Sequence, residues 1–335
     1  MDSVTVQSQK SNKHRRYICF FIVGSVLLCA LFLMSLFIGK YPFTLDGLLH
    51  GDERQWLVFR TLRLSRALVG VIGGFALGIA GYVYQTVFRN PLASPDIIGV
   101  SSGASAGAAM GILLFGSAAM ITVCAFGGAF LTVVLTLFLA SIDRSGRKST
   151  VVLAGIAVHS LAQTVLMCLK LMADPEKELA SIEYWIMGSL NGINSHQINL
   201  NIAVIMISMV VLFLFNRKTI MLSADEGEAT MLGLNVSATR LVVLVTSTVA
   251  VAAVVSMTGL ISFIGLIAPH IARKLTKRND LPTMVLCGII GASLLELADI
   301  LARSVAQTEL PVSIFTSIIG VPLLVFIIFT GREKV

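Results

Sequence analysis

The fold is decided by residues 97–142, IIGVSSGASAGAAMGILLFGSAAMITVCAFGGAFLTVVLTLFLASI, which contain no Asp, Glu, Lys or Arg. A helix that crosses the hydrocarbon core of a bilayer needs about 20 apolar residues. This run of 46 residues is more than twice that length. Gly116-Ser117 is the natural turn within it, because glycine and serine favour turns. The stretch therefore predicts two membrane-spanning helices joined by a tight loop.

The composition of the whole chain agrees with a membrane protein. Of its 335 residues, 56% are hydrophobic and 13% are charged, and the mean hydropathy is +0.88. An ordinary soluble domain carries about 25% charged residues. The chain therefore lacks the polar surface that a cytosolic enzyme, a disordered chain or a secreted disulfide scaffold would need.

The charges and cysteines point to no other class of partner. The net charge of +7 comes from Lys and Arg in short segments between apolar runs, so we expect no nucleic-acid partner. The five cysteines stand singly in apolar stretches, without a Cys-x-x-Cys pair or a Cys/His ligand spacing. We interpret them as packing residues and predict no metal site.

Further apolar runs mark the remaining spans. The uncharged run 241–272 is too long for one crossing and too short for two full ones. Basic clusters flank it at both ends, and Lys and Arg are enriched in cytoplasmic loops, so it crosses twice with a break near Thr258-Gly259. The clear single runs cover residues 17–38, 64–84, 118–140, 151–171, 197–215, 283–301 and 312–330.

The predicted fold class is all-α: a polytopic membrane protein with about ten transmembrane helices and both termini in the cytoplasm. This topology places 17 of the 25 Lys and Arg residues on the cytoplasmic side, as the positive-inside rule requires. We expect a cytoplasmic tail (1–16), one transmembrane domain (17–330) that includes a cytoplasmic loop (216–240), and a short cytoplasmic tail (331–335).

Two stripes of glycine at four-residue spacing lie on the second and third spans. Helices with such stripes approach closely, because van der Waals contact holds helices together in lipid. We expect them to pack within the chain. The stripes are Gly70, Gly74 and Gly78, and Gly99, Gly103, Gly107 and Gly111.

The chain shows no catalytic motif. It contains no HExxH, GxSxG or paired-carboxylate arrangement, and the segment 146–149 (GRKS) lacks the glycine and the Gly-Lys order of a phosphate-binding loop. Nor does a mid-span carboxylate have a basic partner, as an ion-coupled carrier commonly shows. We predict no catalytic residue, and we expect the energy source in another subunit.

Motifs of one known family run through the chain in order. Together they resemble the FecCD-type permeases of ABC importers for ferric siderophores, haem and cobalamin, over about residues 40–330. The motifs are LRLSR at 62–66, RNPLASPD at 89–96, IGVSSGA at 98–104, GLISFIGLIAPHIAR at 259–273, ADILAR at 298–303, ELPV at 309–312 and GVP at 320–322.

The resemblance implies a ten-span permease of type II ABC importer architecture in the bacterial cytoplasmic membrane. It implies a second permease subunit, which we expect to be a paralogue rather than an identical copy, two cytoplasmic ATPases that bind ATP and Mg, and an extracytoplasmic substrate-binding protein. We also expect lipid around the chain and no cofactor within it. The expected cargo is an iron–siderophore complex, with haem or cobalamin as the alternative and an ion-coupled secondary transporter as the rival class.

Three arginines at the outward ends of spans stand against the positive-inside trend: Arg63, Arg66 and Arg303. Guanidinium groups recognise carboxylates through planar, bidentate contacts. By the resemblance, these positions receive acidic residues of the binding protein. The alternatives are side chains that reach lipid headgroups and, since Arg303 follows Asp299 by four positions, an ordinary helix ion pair.

The cytoplasmic loop 216–240, which we call the coupling segment, contains an acidic and apolar stretch. Early acids and Gly233 predict a short helix, and the resemblance implies that it fits a groove on the ATPase. A helix on the bilayer surface is the alternative, although its acids would be repelled by anionic lipids. The predicted coupling residues are Asp225, Glu226, Glu228, Ala229, Leu232 and Gly233.

His159 and Gln163 lie one turn apart on one face of the fifth span. Polar groups at this depth need a partner or a water-filled cavity. We predict that they line the translocation pathway, with an interhelical hydrogen bond as the alternative.

Overall fold

The computed structural model describes residues 2–39, 53–142, 148–191, 195–306 and 308–331, and these ranges contain helices and no strands. The helices are α1 (Asp2–Phe37), α2 (Glu53–Phe88), α3 (Val100–Leu114), α4 (Ala118–Ile142), α5 (Lys148–Met172), α6 (Glu178–Met187), α7 (Ser195–Leu214), α8 (Asn216–Met221), α9 (Glu226–Met231), α10 (Val236–Thr258), α11 (Ile264–Thr276), α12 (Leu281–Ser304) and α13 (Val312–Gly331).

Within the described residues, six helices are long and apolar enough to span a membrane and three shorter helices are apolar. Helices α1, α2, α4, α5, α10 and α12 contain segments long and apolar enough to cross a membrane. Shorter apolar helices form within α3, α7 and α13, and α11, which has Pro269 inside it, follows α10 directly. The all-α polytopic fold class is confirmed.

The second span begins earlier than hydropathy predicted. The apolar run starts at residue 64, whereas α2 begins at Glu53 and passes through a π-helical turn at Phe59–Leu64. Hydropathy ends a span where arginines appear, but the Arg63 and Arg66 side chains are buried inside the protein. The helix therefore continues through them.

Both predicted breaks occur where glycine stands. Helix α3 ends at Leu114 and α4 begins at Ala118, and Gly116 between them has φ +64°. Helix α10 ends at Thr258, and Gly259 has φ +68°. These positive φ angles are favourable for glycine and strained for other residues.

Small residues allow two pairs of helices to pack closely. Helix α2 packs against α12 with Gly74 facing Gly291, where an added Cβ would lie 2.6 Å from the Gly291 carbonyl oxygen. Helix α3 packs against α4 in the same way, with Gly107 facing the backbone of Cys124. The expectation that the glycine stripes pack within the chain is confirmed for both stripes.

The buried centre of the protein consists of α2, α10 and α12, whose span segments are mostly inside the structure. Helices α1, α4 and α5 surround this centre, and only a minority of the residues in their span segments are buried. On α5, for example, Leu153 and Leu171 are exposed. These outer faces suit lipid or another membrane subunit.

The glycine contact between α2 and α12 predicts a difference between two Gly→Ala substitutions. Gly74→Ala should destabilise the fold by about 1–3 kcal/mol, because the methyl group meets backbone that cannot move aside. Gly127→Ala on α4, which has open space around it, should change stability by less than about 1 kcal/mol in either direction. Thermal unfolding of both variants in the same detergent checks this, and equal melting temperatures would contradict it.

Candidate functional site

Arg66 on α2 lies between two carboxylates at the end of the protein predicted to face outward. Its Nε donates to Asp299 Oδ1 at 2.9 Å, and its Nη2 lies 2.8 Å from the same oxygen. On the other side, Nη1 donates to Glu309 Oε2 at 2.9 Å. One guanidinium thus joins α2, α12 and the segment between α12 and α13.

Arg303 and Arg63 bind the C-terminal end of α1. Arg303 donates to the backbone carbonyls of Ser35 and Ile38 at 3.1 and 2.9 Å, and Arg63 donates to the carbonyl of Leu36 at 3.3 Å. The last carbonyls of a helix have no partner within it and carry partial negative charge. The two arginines therefore cap α1 and fasten it to α2 and α12.

The sequence analysis placed the three arginines at an outward surface, and the structure corrects their exposure. Arg63, Arg66 and Arg303 have relative accessibilities of 4%, 7% and 5%. Buried charges need partners, and Asp299 supplies a shared one. The helix ion pair that we considered as an alternative is present, with Arg303 Nη2 2.8 Å from Asp299 Oδ2. A docking role for these arginines stays a prediction, now with their internal partners identified.

Glu296 lies one turn before Asp299 on the same buried side of α12. It is 1% accessible, and neither carboxylate oxygen has a hydrogen bond of good geometry within the described residues. Its side chain occupies the space beside Gly70, where any Cβ would collide with it. Asp299 and Glu309, rather than Glu296, are therefore the acidic partners of the arginines at this end. We call this set the outer arginine cluster and define it as Arg63, Arg66, Arg303, Asp299 and Glu309.

In the coupling segment, two predicted coupling acids form ion pairs with the body of the protein. Asp225 Oδ1 lies 2.5 Å from Arg89 Nη1 at the end of α2, and Glu226 pairs with Arg240 on α10. Arg89 Nε also donates to the Leu222 carbonyl at 3.4 Å. These contacts attach α8 and α9 to the cytoplasmic ends of two central helices.

Gly233 ends α9 in the way the sequence predicts. It has φ +80°, its N–H donates to the Thr230 carbonyl at 2.9 Å, and the Leu234 N–H donates to the Ala229 carbonyl at 3.1 Å. This pattern is a Schellman motif, in which a glycine in the left-handed conformation satisfies the last carbonyls. Ala229 and Leu234 are both buried, as the motif's apolar contact requires.

The apolar surface of the coupling segment differs from the one expected. Ala229 is buried within the chain, whereas Met231 and Leu232 are 90% and 67% accessible. Glu228 is exposed beside them. The tip formed by Met231 and Leu232 is thus the apolar surface that this segment presents, and Met231 was absent from the predicted coupling residues.

Arg273 on α11 is a contact that sequence reasoning missed. It donates to Gln85 Oε1 at 2.9 Å, to Thr86 Oγ1 at 2.7 Å and to the Tyr82 carbonyl at 3.1 Å, all on α2. Gln85 in turn donates to the Leu266 carbonyl on α11 at 2.9 Å. In the sequence, Arg273 is part of a family motif and of a basic cluster, and neither pattern predicted its contacts with α2.

His159 and Gln163 are half-buried on α5. The backbone of His159 lies close to Gly99, at the start of α3. A nearby cavity of about 280 Å³ is lined by polar residues such as Asp96, Ser101 and Ser262, but His159 and Gln163 are not among its lining residues. Their pathway role stays a prediction.

A larger cavity of about 780 Å³ opens at the outward end, between α6 and the last residues of α10. Tyr184 and Trp185 line it together with Glu176 and Thr258. Within the described parts of the chain, no three His, Cys, Asp or Glu residues are arranged to hold a metal ion.

The outer arginine cluster predicts that two neighbouring acids respond differently to neutralisation. Asp299→Asn removes the shared partner of two buried arginines and should destabilise the protein by about 3–5 kcal/mol. Glu296→Gln removes the same charge from the same helix face, and it should cost far less, because Glu296 forms none of the ion pairs of this cluster. Thermal unfolding of both variants, made in parallel, checks this; a larger loss for Glu296→Gln would contradict it.

Comparison with known proteins gives one family. The model of the FecCD transport family matches residues 27–330. An Fe(3+)-citrate import system permease of Bacillus subtilis is 30% identical over 97% of this chain and 99% of the relative. A cobalamin import system permease of Halobacterium salinarum is 34% identical over 82% of this chain and 74% of the relative.

The fold agrees with that family. A solved structure described as a metal-chelate type ABC transporter in an inward-facing conformation matches with a TM-score of 0.84 and 31% identity, over 92% of this chain and 98% of that chain. ABC permeases work with a second permease and with ATPases. The resemblance drawn from the seven motifs is thereby confirmed. The chain belongs to the FecCD transport family, and it is an ABC-importer permease of the cytoplasmic membrane rather than an ATPase.

Proposed function

We propose that this permease translocates an iron–siderophore complex, which an extracytoplasmic binding protein delivers and which ATP hydrolysis in partner subunits drives. The observation that carries the proposal is the nearly full-length likeness to an Fe(3+)-citrate permease and to a metal-chelate type transporter. Because a cobalamin permease is also among the relatives, the alternative cargo is cobalamin or haem.

A single chain of this kind supplies half of a pathway. Helix α5 carries exposed apolar side chains along its length, including Leu153, Leu161 and Leu171, and such a face suits a second permease. We propose a paralogue as that partner, with His159 and Gln163 on the pathway side of α5. The half-buried state of both side chains supports this arrangement, because polar groups in a membrane protein face a cavity or a partner.

At the outward end, we propose that Arg63, Arg66 and Arg303 form the basis of the docking surface for the binding protein. The three arginines outnumber Asp299 and Glu309, the two carboxylates paired with them, and the excess positive charge would steer an acidic partner and fix its register. The arginines are buried in this structure, so the proposal requires that a partner can reach at least one of them. Arg66 meets this requirement because its ion-pair partner Glu309 has a side chain that is 21% accessible.

At the cytoplasmic end, we propose that the coupling segment transmits ATPase movement to α2 and α10. The ion pairs of Asp225 and Glu226 fasten the segment to these helices. The exposed Met231 and Leu232 would enter an apolar groove on the ATPase, since burial of about 100 Å² of apolar surface is worth roughly 2.5 kcal/mol.

Uptake by membrane vesicles tests the proposed cargo and energy source. Vesicles that contain the permeases, the ATPase and the binding protein should take up radioactive iron as its siderophore complex when ATP is inside. Uptake should stop when the ATPase or the binding protein is left out, and the uptake rate should not change when ionophores collapse the ion gradients. Accumulation that needs only a proton or sodium gradient would identify an ion-coupled carrier, and uptake of cobalamin or haem instead of iron would select the alternative cargo.

The proposed coupling contact predicts that Leu232→Asp uncouples the transporter. A carboxylate placed in an apolar groove would lose its hydration without gaining a partner. We expect the uptake rate to fall at least tenfold, which corresponds to about 1.4 kcal/mol. We also expect that the binding protein no longer stimulates ATP hydrolysis by the ATPase. Ser237→Asp, which adds the same charge at another exposed position near this surface, should leave both activities intact. Full uptake with Leu232→Asp would refute the contact.

A further inference from the structure

The two edges of the Arg66 guanidinium contact carboxylates that differ in accessibility. The Nε and Nη2 edge lies on Asp299, which is 1% accessible and is also held by Arg303 Nη2 at 2.8 Å. The Nη1 atom lies on Glu309, whose side chain is 21% accessible. One carboxylate is therefore fixed inside the protein, and the other lies where a partner can reach it.

We propose that Glu309 is an internal substitute for a carboxylate of the binding protein, and that docking exchanges the Arg66–Glu309 ion pair for an ion pair between Arg66 and the partner. This inference rests on the docking function proposed above. It assigns roles to two residues of this chain: Asp299 holds the guanidinium in place, and Glu309 occupies its outer edge until the partner arrives.

The backbone around Glu309 favours such an exchange. The Leu310 N–H donates to the Ala302 carbonyl at 3.1 Å, and the Val312 N–H donates to the Gly188 carbonyl at 3.0 Å. The main chain next to Glu309 is thus anchored, so only the Glu309 side chain has to turn away. A side-chain rotation at a partly exposed position is fast and costs little.

Ion-pair exchange also accounts for the burial of Arg66 in the undocked chain. A guanidinium edge that is withdrawn from water without a partner costs free energy. Glu309 removes this cost when no partner is present. During docking, one ion pair breaks while one forms, so the interaction contributes specificity and a limited net affinity.

A purely structural bridge makes the opposite prediction. If Glu309 only holds the outer end together, its neutralisation loosens the docking surface and weakens binding. If Glu309 competes with the partner, its neutralisation removes the competitor and strengthens binding. Exchange also predicts a steeper salt dependence of binding in the neutral variant, because the ion pair between Arg66 and the partner then forms without the loss of an internal ion pair.

The experiment compares Glu309→Gln with Glu183→Gln in the assembled transporter in nanodiscs. Glu183 is a matched control: it is also on the outward side and also paired, with Lys170 at 2.8 Å, but it lies outside the outer arginine cluster. The probe is the chelate-free binding protein that co-purifies with the transporter. Glu309→Gln should lower its Kd about three- to tenfold, with a steeper salt dependence. Glu183→Gln and Glu309→Asp should both stay within about twofold of the unmodified transporter.

A third variant separates failure of this inference from failure of the docking proposal. Arg66→Gln should weaken binding in the correctly assembled transporter, with assembly verified by co-purification of the ATPase. If Arg66→Gln weakens binding but Glu309→Gln behaves like Glu183→Gln or binds more weakly, the exchange is wrong and docking stands. If Arg66→Gln leaves the Kd unchanged, both proposals are wrong.

Discussion

The close approach of α2 and α12 is the contact on which the rest of the structure depends. Gly74 and Gly291 bring the two backbones together, and in lipid such van der Waals contact replaces the hydrophobic drive that packs soluble helices. One consequence lies at the outer end of this pair, where Arg66 reaches Asp299 at 2.9 Å. A wider separation of the helices would take Asp299 away from Arg66 and leave one edge of a buried guanidinium without its partner.

Helix α2 also connects the two ends of the molecule. Its outer half carries Arg66, and its cytoplasmic end carries Gln85, which binds Arg273, and Arg89, which binds Asp225. An α-helix is stiff along its axis, because every backbone group within it is hydrogen-bonded. A shift of the coupling segment is therefore felt by the same helix that holds the outer arginine cluster, and α2 is the natural mechanical link in the transport cycle that we propose.

Local sequence patterns predicted the helices well and the charged contacts less completely. Hydropathy and glycine placed the turn at Gly116 and the break at Gly259, because both depend on residues close in sequence. The pair of Arg66 with Asp299 joins positions 233 residues apart, which no periodicity encodes. For the coupling segment, composition identified an apolar patch, but only the three-dimensional packing decides that Ala229 is buried and Leu232 exposed.

The burial of the outer arginines and a docking role for them are compatible only if their internal partners can be replaced. In the docking that we propose, the binding protein is bound for only part of the transport cycle, so the same guanidinium must be stable both alone and in the complex. A charge left permanently exposed would be weakly held and strongly screened by salt, whereas a charge paired on both edges with inaccessible carboxylates could not change partners. Arg66 meets both requirements because Asp299 is inaccessible and Glu309 is not. The asymmetry of its two carboxylates, rather than the number of arginines, is therefore the feature that makes this end of the protein suited to a reversible contact.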